Sequence, residues 1–161
     1  MGKKKNKQTA PGELMVCRNP KATREYEIEE RLECGLVLTG SEVKSLRAKH
    51  ADLEGAYASV DRDELYLHKM HIGPYEQAGH FGHETKRSRK LLAHRHQIQR
   101  LMGKLATRGY TLVPIQVYFK NGRAKVELGL ARGRKQGDRR ETLRREADLR
   151  EARAAMDRGR R

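Results

Sequence analysis

Two runs of alternating hydrophobic and polar residues, separated by an Asn-Gly pair, are the clearest structural pattern in the chain. The hydrophobic positions of the two runs are Val113, Ile115, Val117, Phe119, Ala124, Val126, Leu128 and Leu130. Residues two apart on a strand share a face, so each run predicts a strand with one buried face. Asn121 and Gly122 both tolerate positive φ, as a two-residue hairpin turn requires. The pattern therefore predicts a β-hairpin, with Pro114, which lacks an N–H, at a sheet edge or bulge.

Shorter alternating segments predict further strands. They lie around residues 26–28, 36–38, 56–60 and 65–71. The charged stretch 61–64 predicts a turn between the last two of these strands. Glycine and proline interrupt any periodicity between residues 73 and 89, which predicts a loop there.

Two segments have helical spacing. Ser41 is a suitable cap and Glu42 an anion in the first turn, which predicts a short helix over residues 41–49. A second helix is predicted over residues 94–108, where hydrophobic side chains at i, i+3, i+4 and i+7 form one face that packs on the core. These side chains are Ile98, Leu101, Met102 and Leu105. Gly109 is the predicted αL cap of this helix.

About six short strands with about three helices inserted between them predict a mainly β fold, a small antiparallel barrel. Only the connection through residues 94–108 is long enough for a buried parallel crossover, which favours antiparallel pairing. We expect three regions: a disordered basic arm at 1–13, the barrel at 14–133 and a basic tail at 134–161.

Charge points to the class of partner. The chain has 161 residues and a formal net charge of +15, a surplus typical of proteins that bind polyanions. Nucleic acid is the leading partner and an anionic membrane surface is the rival, but no apolar run approaches the length of a membrane span and no signal-peptide core follows the N-terminal lysines. We expect a soluble, cytoplasmic monomer. Cys17 and Cys34 are expected to be reduced and partly buried.

Signatures of catalysis are weak. The pairs His80/His83 and His94/His96 have ligand-like spacing, but no cysteine cluster or glutamate joins them, so solvent-facing or RNA-facing histidines are favoured over a metal site. There is no phosphate-binding loop and no plausible nucleophile. The sequence therefore predicts a protein that is not an enzyme and needs no cofactor or metal.

A basic ridge before the second helix is the main binding signal. Cations surround Leu91 and Leu92, namely Lys86, Arg87, Arg89, Lys90, His94 and Arg95. The ridge is either a solvated face over two core leucines or an RNA-binding surface. Tyrosines on the barrel favour RNA because they can stack on bases, although some must be core: Tyr26, Tyr57, Tyr66, Tyr75 and Tyr110.

Five segments resemble, in order and spacing, the SsrA-binding protein (SmpB) family. They are 19–26 (NPKATREY), 33–47 (ECGLVLTGSEVKSLR), 87–92 (RSRKLL), 109–114 (GYTLVP) and 125–133 (KVELGLARG). The block 40–47 and the last block are the most specific, and the resemblance extends from Asn19 to Arg140.

The resemblance implies a bacterial cytoplasmic protein with an oligonucleotide-binding (OB) type barrel. Members bind the tRNA-like domain of transfer-messenger RNA and deliver it to stalled ribosomes, where the tail occupies the small-subunit decoding centre. The complex rescues the ribosome and tags the incomplete peptide. Together with the basic ridge, the resemblance implies RNA-binding positions at Glu33, Leu92 and His94, with Arg24 and Tyr26 nearby, and at Arg89 and Lys90. The implied tail positions are Arg134, Lys135, Asp138, Arg139 and Arg140.

The tail differs from the family in one position and has a weak helical face. Members often carry Tyr or His where this chain has Gly137. From Arg132 onward there are twelve Lys or Arg, six Asp or Glu and no aromatic residue, so we expect a tail that is disordered when free and helical on the ribosome. The alternative function is a general single-stranded nucleic-acid chaperone, and a metal-dependent nuclease is a remote third.

Overall fold

A computed structural model of the chain describes residues 12–134 and 136–159. The strands are β1 (Glu13–Arg18), β2 (Tyr26–Leu36), β3 (Ala51–Asp52), β4 (Tyr57–Asp61), β5 (Glu64–His68), β6 (His71–Ile72), β7 (Arg89–Leu92), β8 (Tyr110–Lys120) and β9 (Arg123–Gly133). The helices are α1 (Pro20–Glu25), α2 (Gly40–Arg47), α3 (Arg95–Leu105) and α4 (Gln136–Gly159), with a 3₁₀ helix at Glu76–Phe81. No helix within the described ranges is long and apolar enough to cross a membrane.

Six antiparallel strands form a closed ring. The order is β8-β4-β5-β7-β2-β9, and β9 pairs again with β8. β1 lies along the part of β8 that β4 leaves uncovered, and β3 and β6 form a separate small sheet. The predicted mainly β fold of about six strands and about three helices is thus confirmed. Of the predicted arm, residues 1–11 lie outside the described residues, and Glu13 already belongs to β1.

The predicted hairpin is confirmed as β8 and β9. Lys120 pairs with Arg123, and Asn121 (φ 51°) and Gly122 (φ 77°) form the turn with positive φ. The pairing shifts between Pro114 and Gln116, which places the proline at a bulge as expected. Asn19 binds the backbone carbonyls at this bulge. Its backbone N–H donates to Ile115 O at 2.7 Å, and its side-chain amide donates to Pro114 O at 3.1 Å.

Other strands differ from the prediction for local reasons. The two short strands expected at 26–28 and 36–38 are one strand, β2, because a bulge between Ile28 and Glu30 shifts its alternation and hides its continuity. The segment 65–71 divides into β5 and β6 at Lys69, which has a φ of 60°. Residues 89–92, which the sequence predicts as the end of a loop and part of the basic ridge, form strand β7. The charged turn is confirmed, with positive φ at its two central residues.

The helices also begin and end differently. Thr39, rather than Ser41, precedes α2, and its N–H donates to the Glu42 carboxylate at 3.0 Å. Ile98 and Leu101 of α3 are buried, but Met102 is 39% exposed, so the apolar face is narrower than its spacing implied. Gly109 has a φ of 94° but lies beyond the helix end, where the chain enters β8.

The hydrophobic core fills the ring. It contains Cys34, Leu46, Leu53, Leu65, Leu67, Leu91, Val117, Val126 and Leu128. A second, smaller cluster lies on the outer face, where Ala22 of α1 covers Val113 and Ala131 with Tyr26 and Ile28 beside them. α1 therefore closes one end of the outer face of β2, β9 and β8.

A buried ion pair joins α2 to β7. The side chains of Arg89 and Glu42 are both 0% exposed, and Arg89 Nε donates to Glu42 Oε1 at 2.9 Å. The other four N–H groups of Arg89 donate to backbone carbonyls of Met70, Glu84, Thr85 and Arg87 at 2.7 to 3.5 Å. This position contradicts the expectation that Arg89 faces RNA, because the N–H groups of its guanidinium are all hydrogen-bonded inside the protein.

Glu42→Gln should lower the free energy of unfolding by about 3–5 kcal/mol at neutral pH, since it leaves Arg89 as an uncompensated buried charge. Burial alone would raise the pKa of Glu42, but hydrogen bonds from Arg87 and Thr39 and the charge of Arg89 outweigh it and lower the pKa. The stability that ionised Glu42 contributes is therefore fully present above its unfolded-state pKa of about 4.3. It is lost as the pH falls through the lower pKa of Glu42 in the folded protein. Urea unfolding between pH 3 and 7 measures it.

Glu54→Gln is the matched control, because Glu54 pairs with Lys21 on the surface. It should cost less than about 1 kcal/mol. Equal losses in the two variants, or a loss in Glu42→Gln that does not shrink in acid, would contradict the assignment.

Candidate nucleic-acid interface

One row of cross-strand neighbours defines the open end of the outer face. Leu92 of β7 pairs with Gly35 of β2, Gly35 pairs with Lys125 of β9, and Lys125 pairs with Tyr118 of β8. Residues directly opposite each other in a sheet point to the same side. The row therefore brings four strands together on one surface, which we call the outer row (Leu92, Gly35, Lys125 and Tyr118).

Gly35 allows Leu92 to lie across β2. A Cβ atom at position 35 would be 3.2 Å from Leu92 Cβ, closer than side chains normally pack. Leu92 is 56% exposed, while its neighbour Leu91 is buried in the core. Leu92 therefore presents an apolar side chain at the surface beside Gly35.

Glu33 lies beside the outer row, two residues before Gly35 on the same face of β2. Its Oε2 accepts a hydrogen bond from the Tyr118 hydroxyl and lies 3.4 Å from Lys120 Nζ. The Tyr118 hydrogen bond, and then the charges of Lys120 and Lys125, lower the pKa of Glu33 despite its partial desolvation. Glu33 is therefore an ionised acceptor at neutral pH.

A second carboxylate directly opposite Glu33 is also countered. Glu127 of β9 pairs with Glu33, and its side chain accepts from Arg31 at 3.2 Å and from Gln116 at 2.5 Å. Two like charges opposite each other would otherwise repel. Because each acid has its own donors, the face can approach a polyanion without two free carboxylates.

His94 continues the surface beyond Leu92. Its backbone N–H donates to Gln97 Oε1 at 3.1 Å, which ties it to the start of α3. Its ring stacks on His96, with centroids 5.6 Å apart and planes 16° apart. Both imidazoles are exposed, so a base could extend this stack.

Arg24 and Tyr26 lie apart from this group. Tyr26 is seven residues from Glu33 on the same strand, a separation of roughly 20 Å at 3.3 Å per residue. Arg24 is exposed on α1 at that far end, so the expectation that Arg24 and Tyr26 lie near Glu33 is wrong. Tyr26 lines a separate cleft together with Tyr57.

Lys90 is exposed on β7 but is already paired. Its Nζ donates to Glu64 Oε1 at 2.7 Å, and the Tyr66 hydroxyl donates to the other oxygen at 2.6 Å. Of the other tyrosines, Tyr57 is 42% exposed, with the His68 ring 5.0 Å away. Tyr110 lies under the Arg132 guanidinium at 4.3 Å and donates to Glu29.

Sequence reasoning missed Tyr118, Lys125 and Gly35 as parts of the interface. The signal for Tyr118 and Lys125 was present in the hairpin, since both occupy polar-side positions of the two alternating runs. Their convergence on Glu33 depends on the pairing of β2 with β9, which the local pattern does not specify.

His83 and the two cysteines have structural roles. His83 Nδ1 hydrogen-bonds Ser41 Oγ at 2.9 Å, and its Nε2 lies 3.0 Å from Ile72 O. Among the described residues, no group of three or more His, Cys, Asp or Glu could hold a metal ion. Burial raises the pKa of the Cys34 thiol to about 12 and, together with Asp52, that of Cys17 to about 11, so neither free thiol is a reactive nucleophile.

Arg134 connects the barrel to α4. Its N–H donates to Glu25 O at 3.0 Å, and its guanidinium donates to Thr142 Oγ1 at 3.0 Å and to Tyr26 O at 3.4 Å. Of the other predicted tail residues, Arg140 is exposed, Lys135 lies outside the described residues, and so do the side chains of Asp138 and Arg139. Every side chain from Leu143 to Asp157 is exposed.

Comparison with known proteins gives a family match. The model of the SmpB protein family matches residues 16–158. The SsrA-binding protein of Desulforudis audaxviator is 54% identical over 144 residues, which cover 89% of this chain and 94% of the relative. That of Anaeromyxobacter sp. is 50% identical over 160 residues, 99% of this chain and 98% of the relative.

A solved structure is also similar. It is described as "tmRNA-SmpB: a journey to the center of the bacterial ribosome". The chain it contains has a TM-score of 0.65 and 45% identity and covers 81% of this chain and 95% of its own length.

In the free protein we expect α4 to move on the nanosecond timescale relative to the barrel. The Glu141–Arg145 pair at 2.5 Å contributes only about 0.2–0.5 kcal/mol, which does not offset the cost of ordering an unpacked helix. Backbone amide relaxation should give lower order parameters for residues 141–156 than for β8 and β9. Equal order parameters would mean that the tail docks on the barrel.

Proposed function

The chain belongs to the SsrA-binding protein family, and we propose that it binds the tRNA-like domain of transfer-messenger RNA and delivers it to stalled bacterial ribosomes. It acts in the cytoplasm as an adaptor without catalytic activity of its own. The ribosome is rescued and the unfinished peptide is tagged, while the tail occupies the decoding centre of the small subunit.

The observation that carries the proposal is the convergence of Glu33, Leu92 and His94 at one open end of the outer face. Each offers a different contact to a folded RNA. Glu33 accepts hydrogen bonds from base amino groups or 2′-hydroxyls, Leu92 packs against exposed base or sugar faces, and His94 stacks. A surface with these three contacts recognises shape and exposed bases as well as charge.

Cations around the acceptor draw the RNA to it. Lys120 and Lys125 lie beside Glu33, and Arg31 lies on the same face next to Glu127. With a net charge of +15, long-range attraction to phosphates speeds encounter and makes affinity depend on salt. The roughly 20 Å between Glu33 and Tyr26 leaves room for Arg24 and Tyr26 to contact a second part of the same RNA.

The test of the function compares three RNAs over a salt series. An adaptor binds the tRNA-like domain of transfer-messenger RNA far more tightly than ordinary tRNA or poly-U of equal length, and keeps part of that preference at high salt. A general single-stranded nucleic-acid chaperone binds all three with similar affinity at every salt concentration. The latter result would replace the proposed function.

Glu33→Ala should weaken binding to the tRNA-like domain by about 1–3 kcal/mol, because its RNA donors would be left unpaired. Isothermal titration at fixed salt measures the change. Removing a merely solvated anion would instead tighten binding to a polyanion slightly, so an increased affinity would exclude direct contact. Glu54→Ala, which removes a surface carboxylate near α1, is the control for net charge.

Deletion of residues 137–161 should leave affinity for the tRNA-like domain within about twofold, because Glu33, Leu92 and His94 all lie on the barrel. The same deletion should abolish peptide tagging in a reconstituted stalled-ribosome assay. Loss of most of the RNA affinity on truncation would show that barrel and tail form a single binding surface.

A further inference from the structure

The Glu33 carboxylate is held by one of its two oxygens. The Tyr118 hydroxyl and Lys120 Nζ both approach Oε2, the lysine at 3.4 Å. Within residues 12–134 and 136–159, no side chain or backbone group donates a hydrogen bond to Oε1. The carboxylate is therefore fixed through one oxygen and presents the other as an acceptor.

Tyr118 is a rigid donor. It is only 5% exposed, and its strand is paired on both sides, with Met15 of β1 on one edge and Lys125 of β9 on the other. A tyrosine has few rotatable bonds, so its hydroxyl position follows directly from the backbone. Burial, and then the hydrogen bond to Glu33, raise the pKa of Tyr118 well above its usual value, so it remains a donor at physiological pH.

Lys120 does not fix the carboxylate in the same way. It is the last residue of β8, its side chain is 44% exposed, and its distance to Oε2 is at the long end for a hydrogen bond. A long, exposed ammonium group supplies charge in many positions. The direction of the Glu33 side chain is thus set by Tyr118.

We infer that Tyr118 is a positioning residue for RNA recognition: its hydroxyl holds Glu33 so that Oε1 faces the RNA as a hydrogen-bond acceptor. The inference rests on the proposed RNA-binding role of Glu33. It explains why a buried tyrosine reaches from β8 across β9 to an acid on β2. It also explains how an anion is kept in place on a surface that attracts phosphates, where a free glutamate would turn away from the RNA.

A double-mutant cycle tests this inference, with the dissociation constant for the tRNA-like domain as the readout. Tyr118→Phe removes one oxygen atom and keeps the ring, so the barrel should remain folded, as thermal unfolding would verify. Alone, it should weaken binding about three- to tenfold, the factor that corresponds to one hydrogen bond. In the Glu33→Ala background it should change affinity by less than about twofold.

Tyr110→Phe is the matched control. Tyr110 also donates to a glutamate, Glu29, across the same three strands, but it lies at the end of the sheet occupied by α1. Its loss should leave affinity for the RNA within about twofold. Because Tyr118→Phe removes no charge, it should also leave the slope of affinity against salt unchanged.

A second readout needs no RNA. NMR titration of the Glu33 carboxyl group should show a higher pKa in Tyr118→Phe than in the wild type, because the hydrogen bond that lowers the pKa most is gone.

Two results would overturn the inference while keeping the role of Glu33. One is a Tyr118→Phe effect of equal size in both backgrounds, and the other is a Glu33→Ala effect with none from Tyr118→Phe. If Glu33→Ala itself does not weaken binding, the proposed contact fails first, and the positioning role fails with it.

Discussion

The buried pair of Arg89 and Glu42 is the interaction on which the geometry of the candidate interface depends. β7 has only four residues, and its backbone pairing with β2 involves only two of them. Three of them also pair with β5, and Arg89 adds to both pairings by binding the α2 carboxylate and four backbone carbonyls inside the protein. With Arg89 and Leu91 facing inward, strand alternation requires Lys90 and Leu92 to face outward.

A second polar network lies on the outer face of the neighbouring strands β2, β9 and β8. Glu33 and Glu127 face each other across β2 and β9, and each is neutralised by separate donors. Without these donors, two adjacent acids would repel both each other and an approaching phosphate. With these donors in place, a strongly basic protein can present a carboxylate that accepts hydrogen bonds from RNA. The Arg89–Glu42 network inside the protein therefore positions the Leu92 side chain, and the network on the outer face positions the Glu33 carboxylate.

Features that depend on local chemistry were predictable from the sequence. The hairpin, its Asn-Gly turn and the bulge at Pro114 follow from alternation and from the backbone preferences of those residues. The burial of Arg89 was not predictable, because it depends on Glu42, which is 47 positions away in the sequence. For the same reason Tyr118 was overlooked, since its hydroxyl meets Glu33 only when β8, β9 and β2 are in register.

Distance along a strand accounts for the error in the candidate site. Arg24, Tyr26 and Glu33 are close in sequence, and a helix would have brought them within about two and a half turns of each other. An extended strand instead separates Tyr26 from Glu33 by roughly 20 Å. The resemblance identified residues on one face of the barrel, but only the fold shows that they form two groups, with α1 at one end and the outer row at the other.

The central claim is that RNA binds the open end of the outer face, around Glu33, Leu92 and His94. Adding the tRNA-like domain of transfer-messenger RNA to labelled protein, and following Leu methyl and backbone amide NMR signals, tests it most directly. The account predicts the largest shifts at Leu92, Gly35, Glu33 and His94, with weaker shifts at Tyr26. Shifts centred on the outer face of β4 and β5, with none at Leu92, would contradict it.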